Sequence, residues 1–151
     1  MTEKTPCLLN RDEIQALIPH RPPFLWLDEI TECTETSLHA KTFIDPQLDV
    51  FQGHYPDFPV LPGVLQCEAA FQAGAVLIAR QFPPAPGQVP VVTRLNQVQF
   101  RKMVRPGETL EIDVQFIEKV ANAYFLKAKV SAGGQVTVRL EFACALATPE
   151  E

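Results

Sequence analysis

Pro62-Gly63-Val64-Leu65-Gln66-Cys67-Glu68-Ala69-Ala70-Phe71-Gln72-Ala73-Gly74-Ala75-Val76-Leu77-Ile78-Ala79-Arg80 is the stretch on which the fold turns. Proline suits a first helical position, so a helix is expected from about Pro62 to Arg80. At 1.5 Å per residue, Val64 to Arg80 would span roughly 25 Å. The segment is apolar almost all round, and a soluble chain satisfies such a helix only by placing it at the centre of its core. Three polar side chains interrupt it before Arg80: Gln66, Glu68 and Gln72. Glu68 and Gln72 are four apart and share a face, so the amide can hold the carboxyl group. A carboxylate in an apolar helix is costly unless paired or protonated. Burial should raise its pKa toward the range where a carboxyl group donates a proton near neutral pH. The same residue can equally be a core carboxyl satisfied by a glutamine or a water, with no chemistry.

Upstream lies Gly53-His54-Tyr55-Pro56-Asp57-Phe58-Pro59-Val60-Leu61. Pro56, Pro59 and Pro62 are three apart, and each biases its predecessor toward extended backbone, so this reads as a stiff lead-in to the helix. His54 stands at its start. Imidazole titrates closer to neutrality than any other unperturbed side chain, which makes His54 the candidate general base; a lone loop histidine can also be structural or merely exposed. Gly63 leaves its backbone N–H open to a ligand, and the first N–H groups of a helix are unpaired and partly positive. That is the raw material of an oxyanion site, or else of close packing alone. A base, a helix start and a carboxyl group thus fall within one short stretch. Sequence alone does not show that they converge.

The remaining residues read as packing around this stretch. A chain of 151 residues is long enough for one domain with a real core, spanning 1–151. Hydrophobic residues make up 46% and charged residues 21%, an ordinary globular balance that rules against disorder. A net charge of -5 argues against a nucleic-acid partner but leaves room for a local basic patch. Met1 to Asn10 lacks the long apolar region of a signal peptide, and Val64 to Ala79 is too interrupted for a membrane span, so a cytoplasmic protein is expected. Cys7, Cys33, Cys67 and Cys144 show neither Cys-x-x-Cys spacing nor a nearby histidine, so they read as thiols, with no metal implied.

Asn10 can cap a short helix with Glu13 in the capping-box position and Ile14, Leu17 and Ile18 as its apolar face. Strands are expected at Phe24–Ile30, Ser37–Ile44, Val89–Val98, Leu110–Glu118, Ala123–Ser131 and Gln135–Ala147. Turns are expected at Arg105–Glu108 and Ala132–Gly134, the latter closing a hairpin. The pattern is α+β: an antiparallel sheet wrapped on one long apolar helix.

Three stretches, in order, resemble the FabZ-type 3-hydroxyacyl-acyl-carrier-protein dehydratases. They are Gly53 to Gln72, Ile18-Pro19-His20-Arg21-Pro22-Pro23-Phe24-Leu25-Trp26-Leu27-Asp28, and Gln99-Phe100-Arg101-Lys102-Met103-Val104-Arg105-Pro106-Gly107-Glu108-Thr109-Leu110. The resemblance implies a hot-dog fold. It also implies a dimer whose active sites take the histidine from one subunit and the glutamate from the other, with assemblies of three dimers common. By position it matches His54 to the catalytic base, Glu68 to the acid, Gly63 to the backbone donor and Gln72 to the residue supporting the acid. The implied reaction is reversible syn elimination of water from a (3R)-3-hydroxyacyl thioester carried on acyl-carrier protein, giving the trans-2-enoyl thioester, with no cofactor. Arg101, Lys102 and Arg105 form a local basic group that would suit docking of an acidic carrier protein, or else a solvated strand end. Val91 and Asn96 depart from the family's usual aromatic and aspartate, which bears on gating of the acyl tunnel. Glu68 stands where the sister dehydratase-isomerases carry aspartate. A hot-dog acyl thioesterase and a non-catalytic acyl-binding subunit of a synthase are the other readings; neither requires both His54 and Glu68.

Overall fold

The expected capping box is present at the first helix. The Asn10 side chain accepts from the Glu13 N–H (2.9 Å), and the Glu13 carboxylate accepts from the Asn10 N–H (3.0 Å). This starts α1 (Arg11–Leu17), which buries Ile14 completely. The computed structural model describes residues 8–148; Cys7 and most of the stretch read above for a targeting signal lie outside them. Five further elements lead to the sheet's centre: β1 (Glu29–Cys33), β2 (Ser37–Phe43), the single turn α2 (Val50–Gly53), the long α3 (Gly63–Gln81) and β3 (Val89–Phe100). Then come β4 (Thr109–Val120), β5 (Ala123–Ala132) and β6 (Gln135–Ala147).

The six strands form one antiparallel sheet in the order β1-β2-β4-β5-β6-β3. Alternation does the sorting. Leu38, Ala40 and Thr42 of β2, Ile112 and Val114 of β4, Leu126 and Val130 of β5, and Leu140 and Phe142 of β6 are buried on the face that wraps α3. The helix supplies Val76, Leu77 and Ile78, each at most 1% exposed. Burying a side chain of this size is worth about 1.5–3 kcal/mol, so these positions hold helix to sheet. At Gly74 the two approach closely: a Cβ there would come within 2.8 Å of the Phe142 ring. Gly133 and Gly134 both take positive φ between Ala132 and its partner Gln135, the two-residue hairpin turn expected from the sequence. α3, cradled by a single curved antiparallel sheet, is the hot-dog arrangement that the sequence implies.

One expected strand starts later than the sequence suggests. Phe24–Asp28 is irregular, and β1 begins only at Glu29. The segment still delivers Leu25, Trp26 and Leu27 to the core, although Phe24 stays 49% exposed. Side chains replace the neighbouring strand. The Arg11 guanidinium donates to the Leu25 and Leu27 carbonyls (3.1 and 3.2 Å). The Gln72 amide accepts from the Trp26 N–H (2.8 Å) and donates to the Phe24 carbonyl (2.9 Å). These side-chain bonds serve backbone groups that a ladder would otherwise serve.

Candidate active site

α2 ends in His54, whose backbone is extended; Tyr55 then takes φ +53° and reverses the chain. The Phe58 N–H donates to the Tyr55 carbonyl (2.8 Å) and closes the turn. The imidazole of His54 packs edge-on against the Tyr55 ring and places Nδ1 2.7 Å from the Val60 carbonyl oxygen. A carbonyl oxygen only accepts, so Nδ1 carries the hydrogen, and in the neutral ring Nε2 presents a lone pair. The stiff lead-in expected from the three prolines is therefore also tied to the histidine that begins it.

α3 starts as the chain leaves this segment. Among the described residues, neither Gly63 nor Val64 has a hydrogen-bond acceptor for its backbone N–H. A Cβ on Gly63 would lie 2.6 Å from two carbons of the Phe100 ring, so any larger residue here would push that exposed ring aside.

One turn further on, Glu68 Oε2 accepts from Gln72 Nε2 (3.0 Å), as the four-residue spacing predicts. Gln72 is fully buried, and its second Nε2 hydrogen and its oxygen serve the Phe24–Trp26 backbone. It cannot swing away without leaving polar groups unpaired. Oε1 of Glu68 has no partner among the described residues. The carboxylate is less enclosed than the helix composition implies: its side chain keeps 21% of its accessibility, whereas Gln66 and Gln72 are at most 2% exposed. The reason is its position along the helix, between the exposed first turn and the buried Gln72 one turn later. Val64, one turn earlier on the same face, is 68% exposed.

His20 is the site residue that the sequence reading passes over as part of a turn. Its Nε2 lies 3.6 Å from Glu68 Oε2, and its Nδ1 is buried without a hydrogen-bond partner. Burial holds the imidazole below its ordinary pKa of 6.5; Glu68 opposes that shift and Arg21 adds to it. The available signal was its setting. Like His54, it is a histidine fixed in a proline-bounded segment, Pro19 to Pro23.

Among the described residues, His54 and Glu68 share no hydrogen bond or ion pair within one chain. The basic trio also divides. Arg101 donates to Gln99 (2.7 Å) and Lys102 to Gln135, both on the exposed surface. Arg105 instead donates from Nε to the Pro59 carbonyl (2.7 Å) and lays its guanidinium over the Phe58 ring, 3.9 Å from the centroid. Val91 and Asn96 are exposed on β3. His39 faces the outer side of the sheet, bonded to Thr31 and Glu111. Cys33, Cys67 and Cys144 are buried thiols, and burial pushes that of Cys144 up to about 12. Among the described residues no helix is long and apolar enough to cross a membrane.

Comparison with known proteins gives these features a context. The family model described as ApeI-like, an ApeI dehydratase, matches residues 30–138. The chain is 37% identical to the 3-hydroxyacyl-acyl-carrier-protein dehydratase FabZ of Clostridium perfringens (strain SM101 / Type A), over 85% of this chain and 92% of that protein. It is 37% identical to the FabZ of Solibacter usitatus, over 95% of this chain and 89% of that protein. Among solved structures, it is similar to the dehydratase heterocomplex ApeI:P of Xenorhabdus doucetiae, with a TM-score of 0.75, 15% identity, and 90% and 91% of the two chains covered. It is also similar to a hypothetical thioesterase with coenzyme A from Streptococcus pneumoniae, with a TM-score of 0.62, 10% identity, and 81% and 87% covered. At these identities the two structures speak to the fold alone.

Proposed function

This chain belongs to the FabZ-type, ApeI-like dehydratase family, and on that premise we propose that it reversibly removes water from a 3-hydroxyacyl thioester carried on acyl-carrier protein. His54 Nε2 takes a proton from C2. The electrons form the enolate-like thioester, whose oxygen is met by the Gly63 N–H and the positive end of α3. The C3–O bond then breaks, and Glu68 protonates the leaving hydroxyl to give water and the trans-2-enoyl thioester. His54 is left as imidazolium and Glu68 as carboxylate, and a net proton transfer between them through solvent resets the pair. Oε1 of Glu68 is the oxygen assigned to this transfer, because Oε2 is occupied by Gln72.

The observation that carries the reading is the bond from His54 Nδ1 to the Val60 carbonyl, which leaves Nε2 as the base. A shared site at a homodimer interface accounts for the lack of contact between His54 and Glu68 within one chain. The sheet favours one edge for pairing. β1 is only five residues long and is flanked by Leu9, whereas β3 is a twelve-residue edge bearing exposed Val91, Val92 and Leu95. Arg101 and Lys102 remain the carrier-docking candidates. His54→Ala and Glu68→Gln are each expected to lose nearly all hydration of a crotonyl thioester while circular dichroism stays that of the parent. A fully active His54→Ala protein would sink the assignment.

A further inference from the structure

Two consecutive peptide groups, 59–60 and 60–61, lead into α3, and three of their polar atoms are held from different directions. The Pro59 carbonyl accepts from Arg105 Nε (2.7 Å), the Val60 carbonyl from His54 Nδ1 (2.7 Å), and the Leu61 N–H donates to the Val104 carbonyl (2.8 Å). Two of these ties come from adjacent residues, Val104 and Arg105. Their own placement is rigid. Val104 is fully buried, the Arg105 N–H donates to the Glu108 carboxylate (2.7 Å), and the turn Arg105–Glu108 is bonded to Ile44 through Gly107 N–H (2.7 Å) and Glu108 C=O (2.9 Å). The guanidinium also covers the Phe58 ring.

From this geometry, and resting on the reading of His54 as the base, we infer that Arg105 is a positioning residue for His54, acting through the 58–60 backbone. The orientation of the imidazole depends on where the Val60 carbonyl points. That carbonyl belongs to the peptide unit following the one Arg105 holds. A rotation of the 59–60 peptide would displace the adjoining 60–61 unit and deprive Nδ1–H of its acceptor, and the ring could then adopt the other tautomer or swing from the site. Arginine suits the task because its planar fork can bond in plane while its face stacks on an aromatic ring; a lysine ammonium offers only a point charge. Arg105 is thereby separated from Arg101 and Lys102, whose side chains reach glutamines on the surface and leave the lead-in untouched.

The test uses the full-length assembly and three variants: Arg105→Met, Arg105→Lys and the pair Arg101→Glu/Lys102→Glu. Each is assayed on a small crotonyl thioester and on a carrier-bound substrate. The ring nitrogens of His54 are read by 15N NMR. Arg105→Met is expected to lower kcat about tenfold on both substrates alike, since small displacements of a reacting group cost factors of this size. Its His54 signals should move from an Nδ1–H tautomer toward a mixture, and Arg105→Lys should not restore either property. The surface pair should raise KM for the carrier-bound substrate only and leave the His54 signals in place. An unchanged kcat together with an unchanged His54 tautomer in Arg105→Met overturns the proposal. So does a loss confined to KM for the carrier-bound substrate, which would return Arg105 to docking. If Arg105→Met fails to fold, Arg105→Lys carries both readouts, and parental values there are equally fatal. Failure of the underlying reading looks different: it appears as an active His54→Ala protein, whereas the tautomer measurement reports on the clamp whatever reaction the site performs.

Discussion

His20 and Glu68 face each other with unequal support. Gln72 fixes one carboxylate oxygen, while the imidazole of His20 has a buried nitrogen with nothing to bond. Charging that ring would leave an N–H at Nδ1 buried without an acceptor, and burial lowers its pKa against the pull of Glu68. The sign of the consequence follows from linkage. The unfolded chain takes up this proton near 6.5 and the folded chain only at lower pH, so acid favours unfolding. Stability from this source is complete above the unfolded pKa and is lost as pH falls through the folded one. Urea midpoints measured on either side of 6.5 should therefore drop on the acid side for the parent and drop less for His20→Asn. An identical drop in both would remove His20 from the titration. Composition pointed to Glu68 and Gln72 because a polar pair in an apolar helix has to explain itself. His20 lies 48 residues earlier, and only the folded chain brings it to the carboxylate.

At the scale of elements, α3 was legible down to nearly its last residue. Its apolar circumference admits one environment, and Pro62 marks its start. Strand alternation likewise located β2 and the β4–β6 meander. The misread element, Phe24–Asp28, has a strand's composition but obtains its hydrogen bonds from Arg11 and Gln72. Periodicity records which residues are buried and is silent about which partner satisfies the backbone. The helix start makes a further prediction. An alanine methyl at Gly63 would displace the Phe100 ring, which is 59% exposed and free to swing outward. Gly63→Ala is thus expected to keep the parental unfolding midpoint and to lose roughly tenfold or more in kcat, because methyl and ring crowd the space before the unpaired N–H. Undiminished turnover would show that no reacting oxygen sits there.

For the whole molecule, the decisive property is the edge of the sheet. An exposed twelve-residue strand with apolar side chains is a surface that folded proteins seldom leave bare. Leu95, 45% exposed on that strand, is a suitable lever. Leu95→Glu is expected to yield monomers by sedimentation velocity and, with them, loss of crotonyl thioester hydration; a fully active monomer would show that one chain holds a complete site. Sequence pattern could not place β3 at the edge, because a long edge strand and a central strand differ mainly in what lies beyond them. The tie between His54 and the Val60 carbonyl has one more consequence. A carbonyl gives the imidazole no relay along which to pass a proton inward, so what Nε2 takes up must depart by the same atom. On the reading of His54 as the base, an isotope lifted from C2 would therefore leave the ring only through Nε2, to product or to solvent.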